Sequence, residues 1–373
     1  MDRVERAYLS HLLTLDTPLY GLAKVAGGYV LLDRAGLSTF LDRVDGHAPW
    51  GRRDPVARMS RRLDLWQGRA QSDLRRLAIA RAPRIALGWL MRRLPNGLVY
   101  LNTGHSALSA RVISAVRRKQ GRVSVLLHDT IPLDYPQFQR PGTVARFHRM
   151  LKLAGNGADL LIYNSAATQA AVERHLTPMG RIPPGVVAHL GLDLAIPRAG
   201  DLPEGLPPAQ PYFVALGTVE PRKNHALLLD IWQKMPREGA RLLICGARGW
   251  RNEETFATLD RMKAEGAAVE EWPGLSDGAV GALLEGARGL VFPSLAEGFG
   301  LPLIEAAALG CPIFCCDLPV TREVLGDIPV YLPMDDVYSW VKELENVAET
   351  PRAAPVFTPP TWQDHFKIVL KMT

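Results

Sequence analysis

From residue 98 onward the chain alternates short apolar runs with helical patterns, and few folds accept that alternation except a parallel sheet wrapped by helices. Residues 98–102, 123–127, 159–163 and 186–190 read as strands. Between them, 106–119, 143–154 and 166–175 read as helices, the last capped by Asn164-Ser165. Residues 195–211 (AIPRAGDLPEGLPPAQP) are rich in proline and follow neither period, which marks a domain boundary. A second series follows, with strands at 212–216, 241–245, 268–272, 289–293, 312–316 and 330–332. Its helices are expected to begin near Asn224, Glu253, Asp277, Leu301, Val320 and Asp335. The pattern predicts an α/β protein of two Rossmann-like, doubly wound parallel-sheet domains, 1–195 and 212–355, joined by a linker over 196–211 and facing a cleft. A last segment, 356–373, turns helical over 362–372 beyond a proline-rich break.

The first hundred residues are less regular. Residues 1–17 carry Val4, Ala7, Tyr8, Leu12 and Leu15 on one helical stripe, and 28–33 form a strand candidate followed by a helix through Asp42. Residues 51–94 then hold twelve arginines against Asp54, Asp64 and Asp73, interleaved with Trp66, Trp89 and several aliphatic residues. Two readings stand side by side: a basic amphipathic surface lying on an anionic membrane, and helices packed on the core with a solvated basic face.

Charge divides the chain. Residues 1–200 hold 29 Lys and Arg against 14 Asp and Glu, and the remainder holds 15 against 24. A basic first half suits an anionic partner, with phospholipid, a lipid diphosphate and nucleic acid as candidates. No apolar run reaches the length of a transmembrane helix, and the first residues are not signal-like. Cys245, Cys311, Cys315 and Cys316 have neither zinc spacing nor nearby histidines, so they read as buried reduced thiols in a cytoplasmic protein.

The chemistry gathers in residues 293–310 (PSLAEGFGLPLIEAAALG), a strand end, a glycine-rich turn and a helix. Such turns lie at the carboxyl ends of strands, where open α/β sheets bind ligands. Gly298 and Gly300 let backbone N–H groups come close to a ligand, and the helix start favours negative charge. Glu297 precedes that helix and Glu305 lies one turn inside it. Alone, this is also an ordinary helix with an acidic first turn. Residues 217–224 (GTVEPRKN) occupy an equivalent strand–helix turn in the same domain, and Arg222 with Lys223 suits a diphosphate. A carboxylate such as Glu305 can accept two ribose hydroxyls.

With HDTIPLDYP and YNSAATQAAV upstream, and LGTVEPRKNH, ICGARGW, LSD and VFPSLAEGFGLPLIEAAALGCPI in the second half, the chain resembles the retaining glycosyltransferases of family 4. Among these it is most similar to bacterial exopolysaccharide and O-antigen mannosyltransferases. The resemblance covers nearly the whole chain and implies the GT-B fold. It implies that Arg222 and Lys223, with Gly217, hold the donor diphosphate, and that Glu305 takes the nucleotide ribose. Glu297 and the backbone of Gly298, Phe299 and Gly300 would contact the donor sugar, with His128 and Asp129 across the cleft. Gly246, Arg248, Trp250, Gly274 and Leu275 would lie near the base, Trp250 being equally explained as core and His128 as a structural histidine. Asn102, Gly104 and His105 end another first-domain strand and either line the cleft or simply turn the chain.

The implied reaction moves a hexosyl unit from a nucleotide diphosphate sugar to a hydroxyl of a glycan or lipid-linked acceptor, without metal or cofactor, no Asp-x-Asp being present. The implied location is the cytoplasm, peripheral at the inner membrane face. Two departures from the family pattern bear on this. Relatives place a strand and a glycine turn before an element like Asp2-Arg3-Val4-Glu5, which Met1 immediately precedes here; that fits a start upstream and leaves contacts from such a turn unassigned. The commoner pattern also puts Arg directly after the glycine, where Thr218 stands, so Arg222 is expected to substitute. A non-catalytic nucleotide-sugar or glycan-binding subunit is the rival reading. Nucleic-acid binding has only arginines, without a recognition fold, in its favour.

Overall fold

The computed structural model describes residues 2–60, 63–236 and 239–373. In the second domain, strands β8 (Tyr212–Leu216), β9 (Arg241–Cys245), β10 (Val269–Glu271), β11 (Gly289–Phe292), β12 (Ile313–Cys316) and β13 (Val330–Leu332) form one parallel sheet. Their order is β10-β9-β8-β11-β12-β13, so the winding reverses between β8 and β11. All residues of β8, β11 and β12 are buried, as expected for strands covered by helices on both faces. Helices α10 (His225–Lys234), α11 (Glu253–Ala264), α12 (Asp277–Gly286), α13 (Leu301–Ala308), α14 (Pro319–Leu325) and α15 (Val337–Glu349) follow these strands in turn.

The first domain holds a parallel sheet of β4 (Val99–Asn102), β5 (Arg122–Leu127), β6 (Leu160–Tyr163) and β7 (Gly185–Val187) in sequential order. Helices α6 (Ala110–Arg117), α7 (Ile131–Asp134), α8 (Thr143–Gly157) and α9 (Ala166–Leu176) lie between these strands. The α/β class with two parallel sheets thus agrees with the sequence pattern.

Before β4 the pattern predicted less than is there. An antiparallel sheet of β1 (Gly21–Val25), β2 (Gly28–Leu32) and β3 (Ala80–Ala82) stands apart from the parallel one. Only β2 was legible, being apolar and buried at every position. β3, Ala-Arg-Ala, is too short and too weak in β propensity to be read alone. Helices α1 (Arg3–Thr14), α2 (Arg34–Val44), α3 (Pro55–Met59), α4 (Leu65–Leu77) and α5 (Leu87–Met91) complete the domain.

The final helix α16 (Trp362–Met372) packs on α1, with Tyr8 Oη 2.7 Å from His365 Nε2 and His11 stacked on Phe366. One apolar cluster joins Tyr8, Leu126 and Ile162 of the first domain to Val214, Leu290 and Phe366. The four cysteines are free and buried, and burial pushes Cys245, Cys311 and Cys316 up to about 12.

Candidate active site

The topological reversal places the turns after β8 and β11 beside one crevice, the general ligand site of such sheets. The first turn carries Arg222 and Lys223, and the second carries Glu297. Leu295 N donates to Arg222 O at 2.9 Å, tying the two turns together. Arg222 Nη1 donates to Glu297 Oε1 at 2.9 Å, and Lys223 Nζ reaches the same oxygen at 2.7 Å. Glu220 takes the other edge of the guanidinium at 2.6 Å, a partner that sequence reasoning missed although it lies within the quoted motif.

The environment sets the charges. Burial works to lower the Arg222 pKa, but Glu297 and Glu220 outweigh it and hold the guanidinium above its ordinary value. Burial lowers Lys223, with Glu297 opposing and Arg222 adding to the shift. The ammonium also lies 4.2 Å from the Phe292 ring centroid, so its surroundings are dry on one side and anionic on the other. Gly217, in the left-handed region at φ 117°, brings the backbone up to the Lys223 stem. A Cβ on Gly246 would fall 1.9 Å from Gly217 O, so that pair of turns is closely apposed.

The first domain meets this cluster from across the cleft. A Cβ on Gly298 would lie 3.0 Å from His128 O and 3.2 Å from an Asp129 carboxylate oxygen. Asp129 is pushed up by burial, against the Ile131 N–H, His128 and Arg222, which pull it down. His128 directs Nε2 to Thr103 O at 2.7 Å, and its ring lies 5.6 Å from that of His105. His105, at φ 60°, turns the chain after β4 and sets its own Nε2 2.6 Å from Leu126 O. Phe299 is buried beside His189, and Gly300 takes the left-handed conformation that starts α13.

Glu305 lies elsewhere in the crevice. Its carboxylate pairs with Arg3 at the start of α1, and Arg3 also reaches Asp277 at 3.1 Å. Burial raises the Glu305 pKa and Arg3 opposes it. These side chains line a cavity of about 670 Å³ between α1, α12, α13 and α16. Gly274, at φ 79°, and Leu275 lead into α12, whose Asp277, Val280, Gly281 and Leu284 line that cavity, but neither lines it itself. Trp250 does not join them: its Nε1 donates to Phe138 O at 3.1 Å and Arg140 lies over its ring. Arg248 is likewise occupied, by Glu271 and Asp260.

Residues 203–347 match the family profile described as glycosyl transferases group 1. The matched residues carry Arg222, Lys223, Glu297 and Glu305. The serotype-specific mannosyltransferase WbdA of Escherichia coli is 31% identical over 228 residues, covering 57% of this chain and 28% of that protein. The O-antigen chain mannosyltransferase B of Escherichia coli is 35% identical over 131 residues, 34% of each chain. The chain therefore spans about a third or less of these relatives' length. Among solved structures, HepE of Anabaena in complex with UDP and glucose is similar at TM-score 0.58 and 18% identity, covering 71% of both chains. The sucrose-phosphate synthase of Thermosynechococcus elongatus is similar at TM-score 0.56 and 17% identity, covering 79% of both. The fold is GT-B, and the crevice built by Arg222, Lys223 and Glu297 lies within the residues that match the family profile.

Proposed function

We propose that this chain is a retaining, metal-independent glycosyltransferase that moves a hexosyl unit, mannosyl by analogy with its relatives, from a nucleotide diphosphate sugar to a hydroxyl of a glycan or lipid-linked acceptor. The convergence of Arg222 and Lys223 on one carboxylate at the topological reversal carries the reading. Negative charge grows on the departing diphosphate as the bond to the anomeric carbon breaks, and preformed cations stabilise it. A guanidinium and an ammonium at that point supply the charge that a metal supplies in other transferases. Glu297 and the Gly298 backbone stand where the donor sugar would lie. Asp129, buried and raised, suits proton transfer with the acceptor hydroxyl. Incubating the protein with UDP- and GDP-sugars and a lipid-linked acceptor should release nucleoside diphosphate at a rate that EDTA leaves unchanged. No release from any donor would favour a binding subunit, and loss of activity on chelation would return the metal.

The acceptor reading extends to a membrane surface, met by a basic face somewhat further along the chain than residues 51–94 alone. Arg61 and Arg62 of the basic stretch lie outside the described residues. Arg75 and Arg76 pair with Asp54 and Asp73, and Arg53 donates to Ala57 O, so part of 51–94 serves the fold. Between Asp73 and Asp129, by contrast, the chain has no carboxylate and eleven Lys and Arg. Arg81, Arg84, Arg92, Arg93 and Arg118 have no carboxylate partner among the described residues. Beside them Ile85 is 86% exposed, and Trp89 lies under Arg93. Each cation near an anionic bilayer adds about 1 kcal/mol. Flotation with phosphatidylglycerol vesicles should recover the protein, with phosphatidylcholine much less, and Trp89→Ser should lower recovery severalfold. Equal recovery on both lipids would remove the membrane from the proposal. Among the described residues, no helix is long and apolar enough to cross it.

A further inference from the structure

The first turn of a helix presents backbone N–H groups that the helix itself cannot satisfy. In α9, Ser165 Oγ accepts from Thr168 N at 3.0 Å. The two N–H groups before it, on Ala166 and Ala167, donate to Glu323 of α14 at 2.7 and 2.9 Å. His189, two residues beyond β7, sets Nε2 2.8 Å from the same carboxylate. Three groups of the first domain thus converge on one side chain of the second. Burial alone would raise the Glu323 pKa, but His189 and the two N–H groups overcome it and hold the carboxyl below its ordinary range.

The same helix end touches both halves of the active site. Thr168 Oγ1 lies 3.3 Å from Gly298 O and 3.5 Å from His128 O. Asn164 Nδ2 donates to His128 O at 2.8 Å, and the His189 ring packs 5.9 Å from that of Phe299. A shift of Glu323 against α9 is therefore a shift of the Gly298 loop against His128 and Asp129. Reacting groups misplaced by about 1 Å can lose about a hundredfold in rate. Glu323 makes no hydrogen bond to Arg222, Lys223, Glu297 or Glu305, so it has no direct part in holding a nucleotide.

We propose that Glu323 is a positioning residue: clasped between the α9 N-terminus and His189, it fixes the angle at which the two domains present the donor sugar to His128 and Asp129. The proposal rests on the transferase reading. Glu323→Gln keeps the size of the side chain but turns one acceptor into a donor and removes the charge, and loss of such charge-assisted bonds should open the clasp. Small-angle X-ray scattering on the ligand-free protein should then show a larger radius of gyration than wild type. Nucleoside diphosphate release from GDP-mannose or UDP-glucose should fall about tenfold in kcat, with the calorimetric Kd for GDP or UDP unchanged. His189→Gln should open the protein in the same sense, and combining it with Glu323→Gln should add little, because both act through one clasp. Superimposable scattering curves would overturn the proposal. So would fully additive losses, or a kcat deficit that merely tracks the fraction unfolded on a melting curve. Failure of the parent protein to bind any nucleoside diphosphate would instead overturn the transferase reading, while the scattering comparison would still decide the clasp.

Discussion

Glu297→Ala is expected to lower kcat at least about a hundredfold while leaving nucleoside diphosphate affinity equal to or tighter than wild type. Glu297 is the anion on which Arg222 and Lys223 both close, at 2.9 and 2.7 Å, with its side chain only 8% exposed. Removing it takes away the group proposed to meet the donor sugar, and losing one preorganised electrostatic contact typically costs about 10²–10³ in rate. The two cations are then released for the diphosphate, which is why binding and turnover should move apart. Stability should follow a third course. Breaking a buried ion pair by deleting one partner costs about 3–5 kcal/mol, because the opposite charge is stranded. Here Glu220 still pairs with Arg222, so the stranded charge is mainly Lys223. The variant should melt lower than wild type without ligand and recover with GDP or UDP. Glu297→Gln, with an acceptor oxygen but no charge, should retain more stability than Ala and little more turnover. Unchanged kcat in Glu297→Ala would remove this carboxylate from the chemistry.

How this cluster could be read in the sequence, while its surroundings could not, has a physical explanation. Strand–turn–helix segments are local: 289–292 and 212–216 are apolar runs, each ending in a turn that carries glycine and charge. Local pattern suffices to place Glu297 and Arg222 at strand ends. It gives no indication that Glu220 faces Arg222, since two residues in a turn face each other only once its dihedrals are fixed. Partners from the other domain are harder still. Arg3 meets Glu305 across 302 positions and Glu323 meets Ala166 across 157, and no period in a single chain encodes either distance. The Asn164-Ser165 cap was legible as a helix start, yet Ser165 covers only one of the exposed N–H groups. The remaining two could have signalled that a partner from elsewhere was required. Trp250 shows the reverse case: a tryptophan after a glycine turn suits a base, but its indole is committed to residues 138–140 of the first domain. Short strands fail for a different reason, since β3 is three residues long and is held by pairing with β2 rather than by its own composition.

Lys223→Ala should weaken GDP or UDP binding by about ten- to a hundredfold, the range expected when a charge-assisted hydrogen bond worth about 1.5–3 kcal/mol is lost. The loss has two parts. The ammonium no longer meets the diphosphate, and Glu297, left with Arg222 alone, repels the incoming anion. Lys223→Ala combined with Glu297→Ala should therefore bind the nucleotide better than Lys223→Ala by itself, a coupling that a double-mutant cycle measures directly. Arginine should rescue poorly, because a planar fork does not fit where a compact ammonium sits over Phe292 against the Gly217 backbone. A pH series separates charge from shape. The protonated lysine is the form that attracts a diphosphate, and burial lowers its pKa. Wild-type affinity should therefore fall with rising pH, beginning below the range of an ordinary lysine. Bound diphosphate adds negative charge and pulls that pKa back up, so binding in the same range should take up protons, seen as a calorimetric heat that depends on the buffer. Lys223→Ala should lose both signatures while Glu305→Ala keeps them. Were the pH dependence to survive in Lys223→Ala, another group would be holding the diphosphate.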